Sequence, residues 1–131
     1  MLKYLKEAEF YITPLQNPDG YEYSRSEDRL WRKNRRLNPD GTFGVDLNRN
    51  WDEHWGMYGT SAFTVSEVYE GAAPFSEPLT RLISDWILSI PNRYAGIDFH
   101  VISVYRSLFL FLELWSEYPS ELGMDQRHIP K

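Results

Sequence analysis

The segment Gly44-Val45-Asp46-Leu47-Asn48-Arg49-Asn50-Trp51 places an aspartate, an arginine and two asparagines between apolar neighbours. A second polar segment, Arg29-Leu30-Trp31-Arg32-Lys33-Asn34-Arg35, lies upstream, and the apolar segment Ile97-Asp98-Phe99-His100 ends on a histidine. Arginine binds carboxylates through two parallel hydrogen bonds, and histidine is a common metal ligand. The three segments therefore indicate either a carboxylate site near a metal, or a solvated loop with one structural histidine.

The composition is that of one folded domain. The chain has 131 residues, of which 42% are hydrophobic and 16% aromatic, and this is enough for a single core. Its net charge of -5 gives no overall attraction to nucleic acid or to anionic membranes. The sequence contains no cysteine, which excludes disulfides and thiolate zinc sites. Residues 1–9 are too charged and too short for a signal peptide, and no segment reaches the roughly 20 apolar residues of a membrane span.

Local patterns in the first third of the chain predict short strands and turns. Residues 10–15 are aromatic and β-branched and are predicted to form a strand that ends at the turn Asn17-Pro18-Asp19-Gly20. Residues 21–23 are predicted to be extended, and Ser26 is predicted to cap a short helix that runs through Trp31. The same tetrapeptide recurs as Asn38-Pro39-Asp40-Gly41 and predicts a second turn.

The second half of the chain predicts a loop, a helix and a buried strand. Residues 50–71 have little periodicity and many aromatics, which favours a long ordered loop. Ser76-Glu77-Pro78 is a typical helix start, with Ser76 as the cap, and Pro91 ends the helix. Tyr94 to Phe99 is predicted to be a strand with His100 at its carboxyl end, where ligands gather in α/β sheets. The apolar residues at helical spacing are Leu79, Leu82, Ile83, Trp86, Ile87 and Ile90.

The individual candidate residues each have a structural interpretation as well. A zinc site needs three protein ligands, so His100 alone is weak support for one, although Asp98 would face the same side of a strand. His54 is most simply a polar residue of an aromatic loop, and His128 lies near the end of the chain. Arg32 and Arg49 stand out because each lies beside or close to a Trp or an Asn rather than inside a long run of charges.

Several motifs together carry a resemblance to a known family. The chain resembles the zinc metallocarboxypeptidases of the carboxypeptidase A and B type over roughly residues 9–100. The Ser76-Glu77 helix start belongs to the same pattern. The other matching segments, in the same order and spacing, are Asn17-Pro18-Asp19-Gly20-Tyr21, Arg29 to Arg35, Gly44 to Trp51, Ser66-Glu67-Val68-Tyr69-Glu70-Gly71 and Ile97 to His100.

The resemblance implies a fold, a cofactor, a substrate class and a set of site residues. The fold it implies is α/β: a partial α/β/α metallocarboxypeptidase sandwich with a mixed sheet, incomplete at both ends. The cofactor is zinc, and the substrates are peptide or protein C-termini, with no nucleic-acid or membrane partner. The site residues it implies are the zinc ligand His100, the catalytic Arg32 that polarises the scissile carbonyl, the substrate-binding Arg29, Asn48 and Arg49, and Asp46, which orients a zinc-bound histidine.

The departures from the family pattern lead to further expectations. The family's His-x-x-Glu zinc ligands lie upstream of the first matching segment, and its general-base glutamate and substrate tyrosine lie far downstream. After the zinc histidine the family continues Ser-Tyr-Ser-Gln, where this chain has Val101-Ile102-Ser103-Val104. We therefore expect residues 1–100 to be the central part of a zinc carboxypeptidase domain and residues 101–131 to be a divergent tail. One hypothesis is that this tail comes from a retained intron or a shifted frame.

Three functional interpretations follow. The first is a metallocarboxypeptidase-like protein that is inactive as this chain alone; secretion of the family's members implies an extracellular location. The second is a non-catalytic module that binds peptide C-termini, whose affinity falls on Arg49→Ala and is insensitive to chelators. The third takes residues 29–36 as a nucleic-acid patch, which the acidic total and the scarcity of interleaved aromatics disfavour.

Overall fold

The computed structural model describes residues 9–91, 93 and 95–98. The chain divides into two compact units, residues 1–87 and residues 88–131. Within the described residues the regular elements are helix α1 (Pro18–Ser26), a 3-10 helix (Leu47–Arg49) and helix α2 (Pro78–Ser89). The same residues contain no strand, and their β-pairing consists of two isolated bridges, antiparallel between Leu37 and Phe43 and parallel between Ser61 and Tyr69.

Helix α1 begins where the sequence predicts a turn. The Asn17 side-chain oxygen accepts a hydrogen bond from the Gly20 N–H at 3.1 Å, and Pro18 is the first helical residue, where its missing N–H costs nothing. The prediction of an extended piece over residues 21–23 is therefore wrong, because these residues continue the helix. The predicted helix from Ser26 through Trp31 is also wrong, since α1 ends at Ser26.

The predicted strand over residues 10–15 is absent. These residues are exposed and carry no strand assignment, because no described backbone segment pairs with them. The ring of Tyr11 instead contacts that of Trp86 edge to face, with centroids 6.1 Å apart. The sheet of the expected α/β fold is thus not seen among the described residues.

The buried side chains of the described region are mainly polar. Only Val45 and Tyr69 are buried hydrophobic residues there. Backbone and side-chain hydrogen bonds, rather than extensive apolar packing, therefore hold these segments together. The buried polar and charged residues are Lys33, Asn38, Asp46, Asn50, Glu70, Glu77 and Thr80.

Helix α2 confirms the helix predicted after Ser76-Glu77-Pro78, since it starts at Pro78 and stops before Pro91. Its predicted apolar face is not a buried face, however: Leu82 is 62% exposed, and Thr80 is the buried residue of the helix. Ser76, the predicted cap, is not adjacent to the helix, because Glu77 lies between it and Pro78. The Ser76 hydroxyl accepts a hydrogen bond from Asn50 and donates one to the Glu77 carboxylate.

The residues that follow α2 are described in part. The Arg93 guanidinium donates to the carbonyls of Leu88 at 2.7 Å and Ile90 at 2.9 Å, and so satisfies carbonyls at the helix C-terminus. Residues 95–98 carry no strand assignment. Tyr94, Phe99, His100, His128 and the proposed tail 101–131 lie outside the described residues. No helix of the described region has both the length and the apolar character needed to cross a bilayer.

Candidate functional site

The two polar segments of the sequence lie side by side in the structure. The Asn34 N–H donates to the Val45 carbonyl at 3.0 Å, and the Val45 N–H donates to the Asn34 side-chain oxygen at 2.8 Å. These reciprocal bonds bring the segment that carries Arg32 next to the segment that carries Asp46 and Arg49.

Asp46 is a buried carboxylate, 3% exposed, with both oxygens engaged. One oxygen accepts a hydrogen bond from the Arg32 guanidinium at 2.8 Å. The other accepts from the Asn48 N–H at 3.1 Å and caps the 3-10 helix. The Asp46 N–H in turn donates to the Tyr69 carbonyl at 2.8 Å. Asp46 therefore fixes the start of the helical turn that carries Asn48 and Arg49.

Arg49 is held in place through main-chain carbonyls. Its Nε donates to the Gly59 carbonyl at 2.9 Å, and its Nη1 donates to the Asn48 carbonyl at 3.2 Å. No described residue accepts a hydrogen bond from Nη2. Arg49 borders a cavity of about 230 Å³, which is also lined by Asn48, Trp51, Glu53, His54, Tyr58 and Thr60.

Asn50 is the centre of a buried cluster of hydrogen bonds, here named the Asn50 network (Asn50, Glu70, Ser76, Glu77 and Thr80). Its side chain is 0% exposed. The Nδ2 group donates to the Glu70 carbonyl at 2.8 Å, to the Ala73 carbonyl at 3.0 Å and to the Ser76 hydroxyl at 2.8 Å. The Oδ1 atom accepts from the Glu77 N–H at 3.0 Å and from the Thr80 hydroxyl at 2.8 Å. One side chain thus joins the segment that carries Asn48 and Arg49 to the start of α2.

Glu77 connects the Asn50 network to Asn34 and Arg36. Its carboxylate is 1% exposed and forms an ion pair with Arg36. It also accepts a hydrogen bond from the Asn34 amide at 2.7 Å. A buried carboxylate with these partners avoids the large cost of an unpaired charge.

Most of the arginine and lysine side chains in residues 29–36 contact other groups of the protein. Lys33 is 2% exposed, and its ammonium donates to the Thr64 carbonyl at 2.8 Å. Burial lowers the pKa of Lys33, opposed by the carboxylates of Glu67, Asp40 and Asp46. The Arg35 guanidinium lies 3.5 Å from the ring centroid of Tyr23. Arg32 and Arg36 pair with Asp46 and Glu77, which argues against a polyanion-binding surface.

The comparisons with known proteins agree with these motifs. The sequence profile of the zinc carboxypeptidase family matches residues 1–112 of the chain. The chain belongs to the zinc carboxypeptidase family. The resemblance stated from the sequence motifs is thereby confirmed.

Two types of relative illustrate the match to the zinc carboxypeptidase family. A zinc carboxypeptidase of Simulium vittatum is 43% identical over 105 residues, which are 79% of this chain and 34% of that protein. The crystal structure of thrombin activatable fibrinolysis inhibitor matches 78% of this chain and 26% of its own, with 41% identity and a TM-score of 0.72. Carboxypeptidase A from Helicoverpa armigera matches 58% of this chain and 19% of its own, at 42% identity and a TM-score of 0.54. The chain has the carboxypeptidase fold over these residues and spans about a third of the length of that zinc carboxypeptidase.

The family's zinc gives a test of the described residues. Among residues 9–91, 93 and 95–98, no group of three His, Cys, Asp or Glu side chains is arranged to hold a metal ion. His54 is exposed, and its Nδ1 lies 3.2 Å from a Glu53 carboxylate oxygen. The described residues therefore do not form a zinc site, and the implied ligand His100 lies outside them, as does any pairing of Asp98 with it.

Two of the other site residues implied by the zinc carboxypeptidase family line the cavity. Asn48 and Arg49 line it together, whereas Arg32 is paired with Asp46. Arg29 lies on an exposed turn closed by the bond from the Trp31 N–H to the Asp28 carbonyl at 2.9 Å.

Sequence reasoning did not assign a role to Asn50 or Glu77. Asn50 directly follows Arg49, and Glu77 precedes the Pro that starts α2. An asparagine placed between an arginine and a Trp in a partly apolar segment was the available signal, because a buried asparagine must satisfy its amide. The partners that satisfy it are 20 to 30 residues away in the sequence.

Proposed function

We propose that this chain supplies the carboxylate-binding part of a metallocarboxypeptidase-like protein that releases C-terminal residues from peptides. The observation that carries the proposal is the state of Arg49. Its Nε and Nη1 are engaged by main-chain carbonyls, which fix the side chain, while Nη2 has no acceptor among the described residues. A fixed guanidinium with uncommitted donors at a cavity is suited to bind a carboxylate.

Asn48 supports this assignment. Asn48 lines the same cavity as Arg49, and its backbone is fixed by the hydrogen bond from its N–H to Asp46. An amide next to a guanidinium supplies a further donor to a carboxylate oxygen. The proposed ligand is therefore the C-terminal carboxylate of a peptide or protein.

The remaining site roles are proposals for the whole protein. Arg32 would polarise the scissile carbonyl with guanidinium N–H groups other than the one that donates to Asp46. Arg29 would be an accessory substrate-binding residue, Asp46 would orient a zinc-bound histidine, and His100 would be a zinc ligand. The described residues by themselves form no zinc site.

The wider architecture belongs to the same proposal. Residues 1–100 would form the central part of a zinc carboxypeptidase domain with the family's α/β/α sandwich and mixed sheet, and residues 101–131 a divergent tail. An extracellular location would follow from the family resemblance. The chain alone would bind carboxylates without turning substrate over, which makes the non-catalytic binding module the second candidate function.

The test is to titrate the full chain with N-acetyl-glycyl-leucine and to measure the Kd by NMR. Arg49→Ala should raise Kd by roughly tenfold or more, because a charge-assisted pair is lost. Arg25→Ala removes the same charge from the exposed pair with Glu22 on α1 and should leave Kd unchanged. The C-terminal amide of the same dipeptide should bind more weakly than the acid, and a chelator should have no effect.

Two results would contradict parts of this proposal. Equal binding of the acid and the amide, or an unchanged Kd in Arg49→Ala, would remove the carboxylate clamp. Zinc-dependent turnover of the blocked dipeptide by this chain, abolished by His100→Ala, would show that the chain itself is catalytic.

A further inference from the structure

Hydrogen bonds connect Asn50 to the loop that holds the Arg49 guanidinium, the proposed carboxylate clamp. The Glu70 carbonyl accepts from the Asn50 amide at 2.8 Å and from the Trp55 indole N–H at 3.2 Å. Trp55 begins the turn-rich loop of residues 55–61, which contains Gly59, and the Gly59 carbonyl accepts a hydrogen bond from the Arg49 Nε–H at 2.9 Å. The Glu70 carbonyl therefore binds both Asn50, which follows Arg49 in the backbone, and Trp55, which belongs to the loop that contacts the Arg49 side chain.

The far end of the same loop is also fixed to this region. The Glu70 N–H donates to the Ser61 carbonyl at 3.1 Å, and the Ser61 N–H donates to the Val68 carbonyl at 3.0 Å. The loop between Trp55 and Ser61 is thus held at its start by the indole bond and at its end by backbone bonds. Gly59 lies between these two attachments.

We infer that Asn50 and Trp55 are positioning residues for Arg49, acting through the Glu70 carbonyl that they share. In this role neither Asn50 nor Trp55 contacts the ligand itself. Asn50 fixes the backbone that follows Arg49, and Trp55 fixes the loop whose carbonyl orients the guanidinium. This inference rests on the proposed carboxylate clamp and names the residues that set the clamp's geometry.

The carbonyl next to the Arg49 Nε–H would reduce the entropy that Arg49 loses when it binds a carboxylate. An arginine side chain has many rotamers, and its freedom must be lost when it binds a carboxylate. A carbonyl held at a fixed position next to Nε removes part of that freedom before the ligand arrives. Loosening the loop should therefore weaken binding even where the fold persists.

Trp55→Phe is the most direct test, because it keeps an aromatic ring and removes the indole donor. Trp31→Phe is its matched control: Trp31 is also half-buried, and its indole donates at the same distance of 3.2 Å, but to the Asn34 carbonyl. In the full chain, Trp55→Phe should raise the Kd for N-acetyl-glycyl-leucine about fivefold, which corresponds to one neutral hydrogen bond. Trp31→Phe should leave it at the wild-type value.

The second pair of variants tests Asn50 itself. Asn50→Ala should raise Kd by more than Trp55→Phe. Its control, Asn38→Ala, removes an asparagine that is also buried, at 4% exposure, and that donates to the Thr42 hydroxyl and the Gly44 carbonyl; it should leave Kd at the wild-type value. The readout that a structural role would not move is the hydrogen exchange of the Arg49 Nε–H, followed by ¹⁵N NMR. It should accelerate in Trp55→Phe and Asn50→Ala and stay unchanged in both controls.

The outcomes separate this inference from the proposed function. If Arg49→Ala abolishes binding but Trp55→Phe matches Trp31→Phe in both Kd and Nε–H exchange, the positioning role is wrong and the clamp stands. If Arg49→Ala binds like the wild type, the clamp is wrong, and the Nε–H exchange rates still decide whether Trp55 orders the side chain. Should Asn50→Ala not fold, the tryptophan pair alone gives the answer.

Discussion

Two clusters of polar hydrogen bonds in this protein use similar groups in opposite surroundings. In the Asn50 network, Asn50 and Thr80 are 0% exposed and Glu77 is 1% exposed. In the segment Asn38–Thr42, here named the Asp40 turn, Asp40 is exposed and accepts hydrogen bonds from the Thr42 hydroxyl at 2.6 Å and from the Thr64 hydroxyl. The chemistry of donor and acceptor is nearly the same in the two places.

The difference lies in what replaces a bond when it is lost. Water can reach the Asp40 carboxylate, so a broken hydrogen bond there is exchanged for one to solvent, and the net loss is small. Water does not reach Asn50, so a broken bond leaves a buried group unsatisfied at its full desolvation cost. Burial, more than the number of bonds, should therefore decide how much each cluster contributes to stability.

The largest expected difference in stability is between variants of two glycines, Gly71, which adjoins the Asn50 network, and Gly41, which lies in the Asp40 turn. Gly71 and Gly41 have positive φ angles of 90° and 85°. A Cβ at Gly71 would lie 2.5 Å from the Asn50 Nδ2 and 2.5 Å from the Ser76 Oγ, whereas a Cβ at Gly41 would meet nothing within 4 Å. Gly41→Ala should cost about 1–2 kcal/mol for the left-handed backbone alone. Gly71→Ala should cost about 4 kcal/mol, because overpacking of the Asn50 network is added.

Urea unfolding of the two glycine variants, followed by tryptophan fluorescence, measures this difference. The wild-type chain supplies the reference midpoint and slope. Equal losses in Gly71→Ala and Gly41→Ala would mean that the Asn50 network relaxes around the added methyl group. In that case its bonds are not rigid, and the contrast between the two clusters would not hold.

The two copies of Asn-Pro-Asp-Gly show what local sequence could and could not predict. The second copy, Asn38 to Gly41, forms the predicted turn, closed by the Gly41 N–H on the Asn38 carbonyl at 3.0 Å. The first copy instead starts α1, because the six residues that follow continue as helix. Asparagine followed by proline suits both a turn and a helix start. The tetrapeptide alone therefore could not distinguish them.

Elements with a long local pattern were predicted better than contacts between distant residues. The periodicity after Ser76 predicted helix α2, and the motif order predicted the family. The bonds that fix the candidate site join residues far apart in sequence, such as Asn34 to Glu77, which are 43 residues apart. No periodicity or spacing rule reports such pairs. The strand over residues 10–15 was predicted from its aromatic and β-branched residues, and no backbone segment among the described residues pairs with it.

A medium-sized effect is expected at the edge of the Asn50 network. Glu70 is 6% exposed, and its Oε2 atom is buried without a hydrogen-bond partner in the described region. Its main-chain carbonyl, which Asn50 and Trp55 share, is not altered by a side-chain change. Glu70→Gln removes a buried carboxylate that lacks a partner and should raise the free energy of unfolding by about 1 kcal/mol.

Glu77→Gln is the matched variant for Glu70→Gln. Glu77 is also buried, but it is paired with Arg36 and Asn34, so the same change should lower the free energy of unfolding. Opposite signs for the two variants in one urea series would support the distinction between a paired and an unpaired buried carboxylate. A loss of stability in Glu70→Gln would show that its carboxylate has a partner that the described residues do not include.

The smallest effect belongs to the Asp40 turn and depends on pH. Hydrogen bonds from the side chain of Thr42, from the side chain of Thr64 and from the Thr42 backbone lower the pKa of Asp40 from 3.8 to about 2. Because the pKa is lower in the folded state, the stabilising contribution is fully present above the unfolded value of 3.8 and is lost as the pH falls through about 2. The unfolding midpoint of the wild type should therefore fall more than that of Asp40→Asn over this interval. Thr64→Val keeps the charge and removes one donor, so NMR titration should place its Asp40 pKa between the wild-type value and 3.8. An unchanged pKa would show that the Thr64 hydroxyl does not contribute to lowering it.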